Sequence, residues 1–199
     1  NTTVRGKSDL VGVVSIPYLG EIPQYWRNVP VSKLKFWKKQ HEAKQIVVKN
    51  GNRGLLNEAC RIVATNLEFM SGSDKGSTVY MVTSYNAGSG KSFVAANLSA
   101  ITSIRNKKVI LIDGDLRHTT TSQLVPDAEQ GLSDYLSGCV SDYHGLIRTI
   151  DAGNGVSVLP VGTVPPNPIE LLSSPKFGML IESLRKEFDV IIIDCPPAN

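Results

Sequence analysis

Short apolar runs alternate with amphipathic stretches along most of this chain, and the alternation predicts its elements. Residues 54–70 read as a helix with Leu55, Ala59, Ile62, Val63, Asn66, Leu67 and Met70 on one broad face. Glu58, Arg61, Thr65 and Glu68 form a polar stripe beside it. Residues 79–83 (V-Y-M-V-T) are strand formers, and in 93–104 Val94, Leu98 and Ile101 recur at helical spacing, with Asn97 and Ile104 around them. Residues 107–115 (K-K-V-I-L-I-D-G-D) and 190–194 (V-I-I-I-D) each carry an apolar run ending in aspartate, the pattern of a strand buried on both faces. Short helices are expected over 131–138 and 142–149, and a strand over 156–161 followed by a turn at Pro165, Pro166 and Pro168. Ser174 and Pro175 open a last helix whose stripe is Phe177, Leu180, Ile181, Leu184 and Phe188. Strands alternating with helices predict an α/β fold: a mostly parallel sheet flanked by helices on both faces, with its active edge at the carboxyl ends of the strands.

The first fifty residues have a different character. A strand is expected over 10–16, after which Pro17, Pro23 and Pro30 break regular structure. Lys33, Lys35, Lys38, Lys39 and Lys44 cluster around Phe36 and Trp37, which reads as a solvated basic face, with a surface near anionic lipid as the alternative. The expected organisation is an arm over 1–50 and a domain over 51–199, with a glycine- and serine-rich loop at 71–77. The chain begins at Asn1 without an initiator methionine and stops just after an apolar strand, so both ends read as cut from a longer protein, the domain missing its last strands.

Composition narrows the class. With 199 residues and 41% hydrophobic content, the chain can bury one good core and an extension. A net charge of +3 without a long basic run argues against nucleic acid. Cys60, Cys139 and Cys195 are few, odd in number and unpatterned, which suits a reducing compartment. No stretch has the length of a transmembrane helix, and there is no signal peptide.

Chemistry concentrates at 84–92, S-Y-N-A-G-S-G-K-S, between a predicted strand and a predicted helix. That context makes G-K-S a phosphate-binding loop. Gly88 and Gly90 let backbone N–H groups turn toward phosphate oxygens, and the helix N-terminus adds partial positive charge. Lys91 supplies a full charge near the β- and γ-phosphates, and the Ser92 hydroxyl is a ligand for Mg²⁺. Residues Ala87, Gly88, Ser89, Gly90, Lys91, Ser92 and Phe93 are therefore the expected nucleotide contacts. The loop is a variant, since Tyr85 stands where the general pattern has its first glycine.

Three aspartates end the two buried strands: Asp113 and Asp115 on one, Asp194 on the other. Asp194 has the form of a Walker B carboxylate, and magnesium prefers such hard oxygen ligands. Asp113 and Asp115 lie two apart on an extended segment. One can hold the metal or its water while the other accepts a proton. The candidate metal set is Ser92, Asp113, Asp115 and Asp194, and the candidate catalytic set is Lys91, Asp113 and Asp115.

Together these segments resemble the bacterial tyrosine kinases, P-loop enzymes that control capsule and exopolysaccharide synthesis. T-S-Y-N-A-G-S-G-K-S is similar to their Walker A motif, V-I-L-I-D-G-D-L-R (109–117) to their Walker A′, and D-V-I-I-I-D-C-P-P (189–197) to their Walker B. N-E-A-C-R-I-V-A-T-N-L-E-F (57–69), G-L-S-D-Y-L-S-G (131–138) and L-P-V-G-T-V-P-P-N-P-I-E-L-L (159–172) are also family-like, and I-P-Y-L-G-E-I-P (16–23) resembles the segment after the second transmembrane helix. The resemblance implies an ATP- and Mg²⁺-dependent tyrosine autokinase on the cytoplasmic face of the bacterial inner membrane. It also implies a membrane domain, polysaccharide export machinery, a ring of identical subunits and a tyrosine phosphatase as partners. Departures are Ala87 and Thr119, each where proline is usual, and the ring-forming E-x-x-R-x-x-R, which reads Glu58, Arg61 and Ala64 here. A partitioning-type ATPase switch shares the variant loop, but Asn86 stands at its signature lysine. The remaining alternative is an ATP-binding scaffold without catalysis.

Overall fold

The apolar runs become the centre of one sheet. The computed structural model describes residues 16–23, 46–72 and 76–198. Its strands are ordered β1 (Thr78–Val82), β5 (Val190–Asp194), β2 (Val109–Asp113), β4 (Val156–Leu159) and β3 (Arg148–Ile150). All neighbours are parallel except β3 and β4. The register pairs Val190 to Asp194 of β5 with Val109 to Asp113 of β2, so Asp113 and Asp194 stand side by side.

Every residue of β2 and β5 is buried. Their side chains alternate between two cores, as the pleat requires. Val109, Leu111, Val190 and Ile192 face one layer, with α1 (Leu55–Met70) and α2 (Lys91–Ile104). Ile110, Ile112, Ile191 and Ile193 face the other, with α3 (Leu132–Ser137) and α5 (Pro175–Leu184), whose Leu180 and Leu184 are fully buried. Helices on both faces and a mostly parallel sheet confirm the expected α/β class. Cys60 and Cys195 lie in these cores, whose burial pushes each thiol up to about 11, while Cys139 is exposed.

Several expectations need correction. Residues 142–149 are not a helix: His144–Leu146 form one 3-10 turn, and Arg148–Ile150, which carries the β-branched Thr149 and Ile150, pairs with β4 as an edge strand. A short helix, α4 (Pro168–Leu172), begins where a proline turn was expected, because a proline at the first helical position needs no N–H partner. Ser174 occupies the cap position of α5, but its hydroxyl turns back to the Leu171 carbonyl at 2.7 Å.

The face of α1 is also different. Asn57, Ala59, Cys60, Val63 and Ala64 are the buried positions, whereas Leu55, Ile62 and Met70 are exposed. The small residues allow α1 to approach α2 closely. Most of the expected 10–16 strand and the lysine cluster at 33–44 lie outside the described residues.

Candidate active site

The site forms at the carboxyl ends of β1, β5 and β2. The chain leaves β1 through the glycine loop and enters α2 at Gly90, whose φ of 94° is open to glycine and costly for other residues. Gly88 has a φ of 76° for the same turn. The base of the loop is fastened to the chain beyond β5: Cys195 N–H donates to Val82 O at 2.9 Å, Ala198 N–H to Ser84 O at 2.8 Å, and Thr83 Oγ1 to Pro196 O at 2.7 Å. Inside the loop, Ser84 and Ser89 hydroxyls both donate to Asn86 O, at 2.7 and 2.8 Å.

Lys91, in the first turn of α2, points at the carboxylates. Its Nζ lies 3.0 Å from Asp115 Oδ2, 3.6 Å from Asp194 Oδ1 and 3.5 Å from Ser92 Oγ. Lys91, Ser92, Asp115 and Asp194 therefore meet within one ammonium's reach. Gly114 makes this possible, since it crosses the end of β5 with its N–H on Asp194 O at 2.9 Å. A Cβ there would stand 3.0 Å from Ile193 Cγ2 and 3.1 Å from that carbonyl.

Burial and pairing set the charges. Burial works against the Lys91 ammonium, but the Asp115 hydrogen bond and the neighbouring carboxylates outweigh it and raise its pKa. Burial lifts Asp115 too, yet Lys91 and the His118 N–H hold it below the usual carboxylate range. Asp113 differs: burial pushes it up to about 7, against two hydrogen bonds from Ser122, with the Asp194 charge adding to the rise.

The two aspartates on the D-G-D segment therefore do different things. Both oxygens of Asp115 are engaged, Oδ2 by Lys91 and Oδ1 by His118 N–H at 3.0 Å. Asp113 spends only Oδ2, which accepts from the N–H and hydroxyl of Ser122, each at 2.7 Å. Thr121 Oγ1 donates to Asp194 Oδ2, also at 2.7 Å. Sequence reasoning passed over Thr121 and Ser122. They stand in a 3-10 turn (Thr121–Leu124), and the only signal was a T-T-T-S run shortly behind D-L-R.

A divalent metal fits this donor set. Asp194 Oδ1 is buried, accepts no hydrogen bond and faces the Lys91 ammonium only at 3.6 Å, which leaves a hard oxygen for a metal, while Asp113 Oδ1, likewise unpartnered, is a second such oxygen open to a metal or a proton. Among the described residues no group of three or more His, Cys, Asp or Glu forms a ready metal cage. Magnesium rarely uses one, taking one or two carboxylates and completing its shell with water and phosphate oxygens.

Glu58 and Arg61 are remote from these groups. They sit half-exposed on α1 and pair with each other at 3.7 Å. Ala64 is on the core side of the helix, so an arginine there would not share their flank. A cavity of about 580 Å³, lined by Glu68, Tyr80, Lys107, Lys108 and Asp189 among others, opens near the amino-terminal ends of β1, β2 and β5. It lies away from the carboxylates.

A parallel sheet with a glycine loop running into a helix, a lysine at the helix start and strand-end aspartates defines a P-loop nucleotide-binding fold. The model of the AAA domain family matches residues 77–199. The tyrosine-protein kinase Wzc of Salmonella typhi is 36% identical over 163 residues, which is 80% of this chain and 22% of that protein. Among solved structures, the kinase domain of Escherichia coli tyrosine kinase ETK matches with TM-score 0.66 and 35% identity, over 70% of this chain and 54% of that one. The chimerical protein CapA2B2 matches with TM-score 0.80 and 27% identity, over 98% and 76%. The septum site-determining protein MinD of Pyrococcus horikoshii, complexed with Mg-ADP, matches with TM-score 0.54 and 31% identity, over 62% and 50%. The chain belongs to the AAA domain family and, within it, to the bacterial tyrosine kinases. It spans only about a fifth of the length of the curated relatives it matches.

Proposed function

We propose that this chain is the catalytic part of a tyrosine autokinase that moves the γ-phosphoryl group of ATP to a tyrosine hydroxyl. The observation that carries the reading is the convergence of Lys91, Ser92, Asp115 and Asp194 beside a loop whose glycines hold positive φ. In this reading the N–H groups of residues 87–93 and the Lys91 ammonium bind the phosphates and offset the charge that spreads over the transferring group. Ser92 and Asp194 would hold Mg²⁺, with Asp115, whose oxygens are both engaged, reaching it through water, and the metal would supply further charge neutralisation at the phosphates.

Asp113 is the proton acceptor. It keeps one oxygen uncommitted, and its burial raises its proton affinity, whereas Asp115 is held as a carboxylate by Lys91. As the tyrosine oxygen bonds to phosphorus, the β–γ bridging bond breaks and ADP leaves. The tyrosine proton passes to Asp113. Residues 51–199 carry this chemistry, and 1–50 join it to a membrane domain at the cytoplasmic face of the inner membrane. The family setting makes capsule or exopolysaccharide export machinery, a homo-oligomeric ring and a tyrosine phosphatase the partners. Glu58 and Arg61 are the proposed contacts of the ring.

The test is incubation with ATP, Mg²⁺ and a tyrosine-containing polymer, scored for both phosphotyrosine and inorganic phosphate. Phosphotyrosine that falls at least about a hundredfold in Asp113→Asn is the expected result. Steady release of inorganic phosphate without phosphotyrosine would favour an ATPase switch instead.

A further inference from the structure

Two asparagines are buried on the packed helices α1 and α2. Asn97 in α2 is fully buried, and Asn57 in α1 nearly so. The side-chain oxygen of each accepts from the backbone of the arm. Asn97 Oδ1 accepts from the N–H groups of Val47 and Val48, at 2.9 and 3.2 Å. Asn57 Oδ1 accepts from Lys49 N–H at 3.1 Å, and its Nδ2 donates to Asn52 O at 2.6 Å. A third, Asn66, donates to Leu19 O at 2.7 Å. The arm is thus held through its main chain, while Val48 enters the core and Leu19, Ile22 and Ile46 pack against it.

Asn97 has a second attachment. Its Nδ2 donates to Phe93 O at 2.7 Å, in the first turn of α2, two residues beyond Lys91. The amide orientation is set from both sides: two N–H donors demand the oxygen, and the Phe93 carbonyl demands the nitrogen. Asn97 therefore joins residues 47 and 48 to the turn that presents Lys91 and Ser92. The bond from Val48 is buried and the other two are half-buried, so water has little room to take their place.

We propose that Asn97 is a positioning residue that couples docking of residues 46–49 to nucleotide binding at 87–93, so that each stabilises the other. This rests on the loop being the nucleotide site. By linkage, the factor by which nucleotide tightens the docked arm equals the factor by which arm docking tightens nucleotide. A residue that merely filled the core would show no such reciprocity.

Hydrogen exchange of the wild-type chain tests this without any substitution. Saturating ATP analogue with Mg²⁺ should slow exchange of the Val47 and Val48 amides by at least about fivefold, the lower range of such couplings. Val47→Pro removes one donor from the arm and leaves α2 untouched; it should weaken nucleotide affinity by a similar factor. Asn97→Asp keeps the acceptor for the arm but loses the bond to Phe93, and should abolish the nucleotide-dependent slowing. Tight nucleotide binding with unchanged protection at Val47 and Val48, or with full affinity in folded Val47→Pro, overturns the coupling alone. Failure of the wild-type chain to bind nucleotide overturns the loop assignment and this inference with it.

Discussion

Replacing Lys91 with methionine should do more than remove a ligand for phosphate. Its ammonium is the cation set among three carboxylates that are essentially buried: Asp113 and Asp194 have no exposed surface, and Asp115 has 2%. In the mutant these charges face one another across a partly dry pocket. Breaking a buried pair costs roughly 3–5 kcal/mol, and the site's position at the sheet edge favours the lower figure, about 3 kcal/mol. For a chain of this size that corresponds to a fall of roughly 6–12 °C in the unfolding midpoint. The measurement is thermal or urea unfolding in buffer containing a chelator, so that no divalent cation takes the place of the ammonium. Adding Asp115→Asn removes the closest of the three charges. The double mutant should recover at least about 1 kcal/mol relative to the sum of the single changes. A Lys91→Met protein with the wild-type midpoint, or strict additivity in the double mutant, would refute the idea that Lys91 compensates this cluster.

Other expected outcomes follow from single contacts. Ser122→Ala removes the hydroxyl that donates to Asp113 and accepts from Val161 N–H, and should lower stability by about 1–3 kcal/mol by denaturant unfolding. Thr121→Val leaves Asp194 Oδ2 without its donor and should impair Mg²⁺-dependent nucleotide binding, measured by calorimetry, more than metal-free binding. His144 is raised in pKa by its hydrogen bond to Asp142 and by Glu187, so its protonated form favours folding. That contribution is complete below its ordinary pKa of about 6.5 and fades as pH rises through the raised value. Urea midpoints of wild type and His144→Gln should accordingly differ at pH 5.5 and converge by pH 8.5. Arg61→Ala should change sedimentation little at micromolar concentration, because an exposed pair of this kind is worth about 0–1 kcal/mol.

The parts of the fold that were legible are those whose burial is dictated locally. V-I-L-I-D and V-I-I-I-D can only be strands covered on both faces, and a glycine loop between strand and helix has one common use. The glycine loop and the strand-end aspartates were accordingly legible in the sequence alone. Thr121 and Ser122 were not, because a polar 3-10 turn has no periodicity, and their roles exist only once β2 and β5 lie side by side. The helix α1 carries more apolar residues than one stripe can bury, so its pattern could not say which would turn inward. The answer depended on the small side chains opposite α2. Residues 148 and 149 fall in the expected 142–149 helix because two exposed residues beside a half-buried Ile150 leave no pattern of their own; their partner strand decides their conformation.

The order of the strands has a consequence for the nascent chain. β5 lies between β1 and β2, yet it is synthesised after every other described strand. While the ribosome is still making α5, β1 and β2 have emerged but cannot be joined, since the ladder between them is missing. The phosphate loop waits as well, because its base is tied to Cys195 and Ala198. The sheet must therefore close around its centre late, with contacts more than a hundred residues apart, such as Thr83 to Pro196. Such long-range closure is slow and leaves unpaired strand edges exposed meanwhile. Nucleotide cannot help the intermediates that precede β5 to fold, for the pocket that would hold it is completed only when that strand inserts.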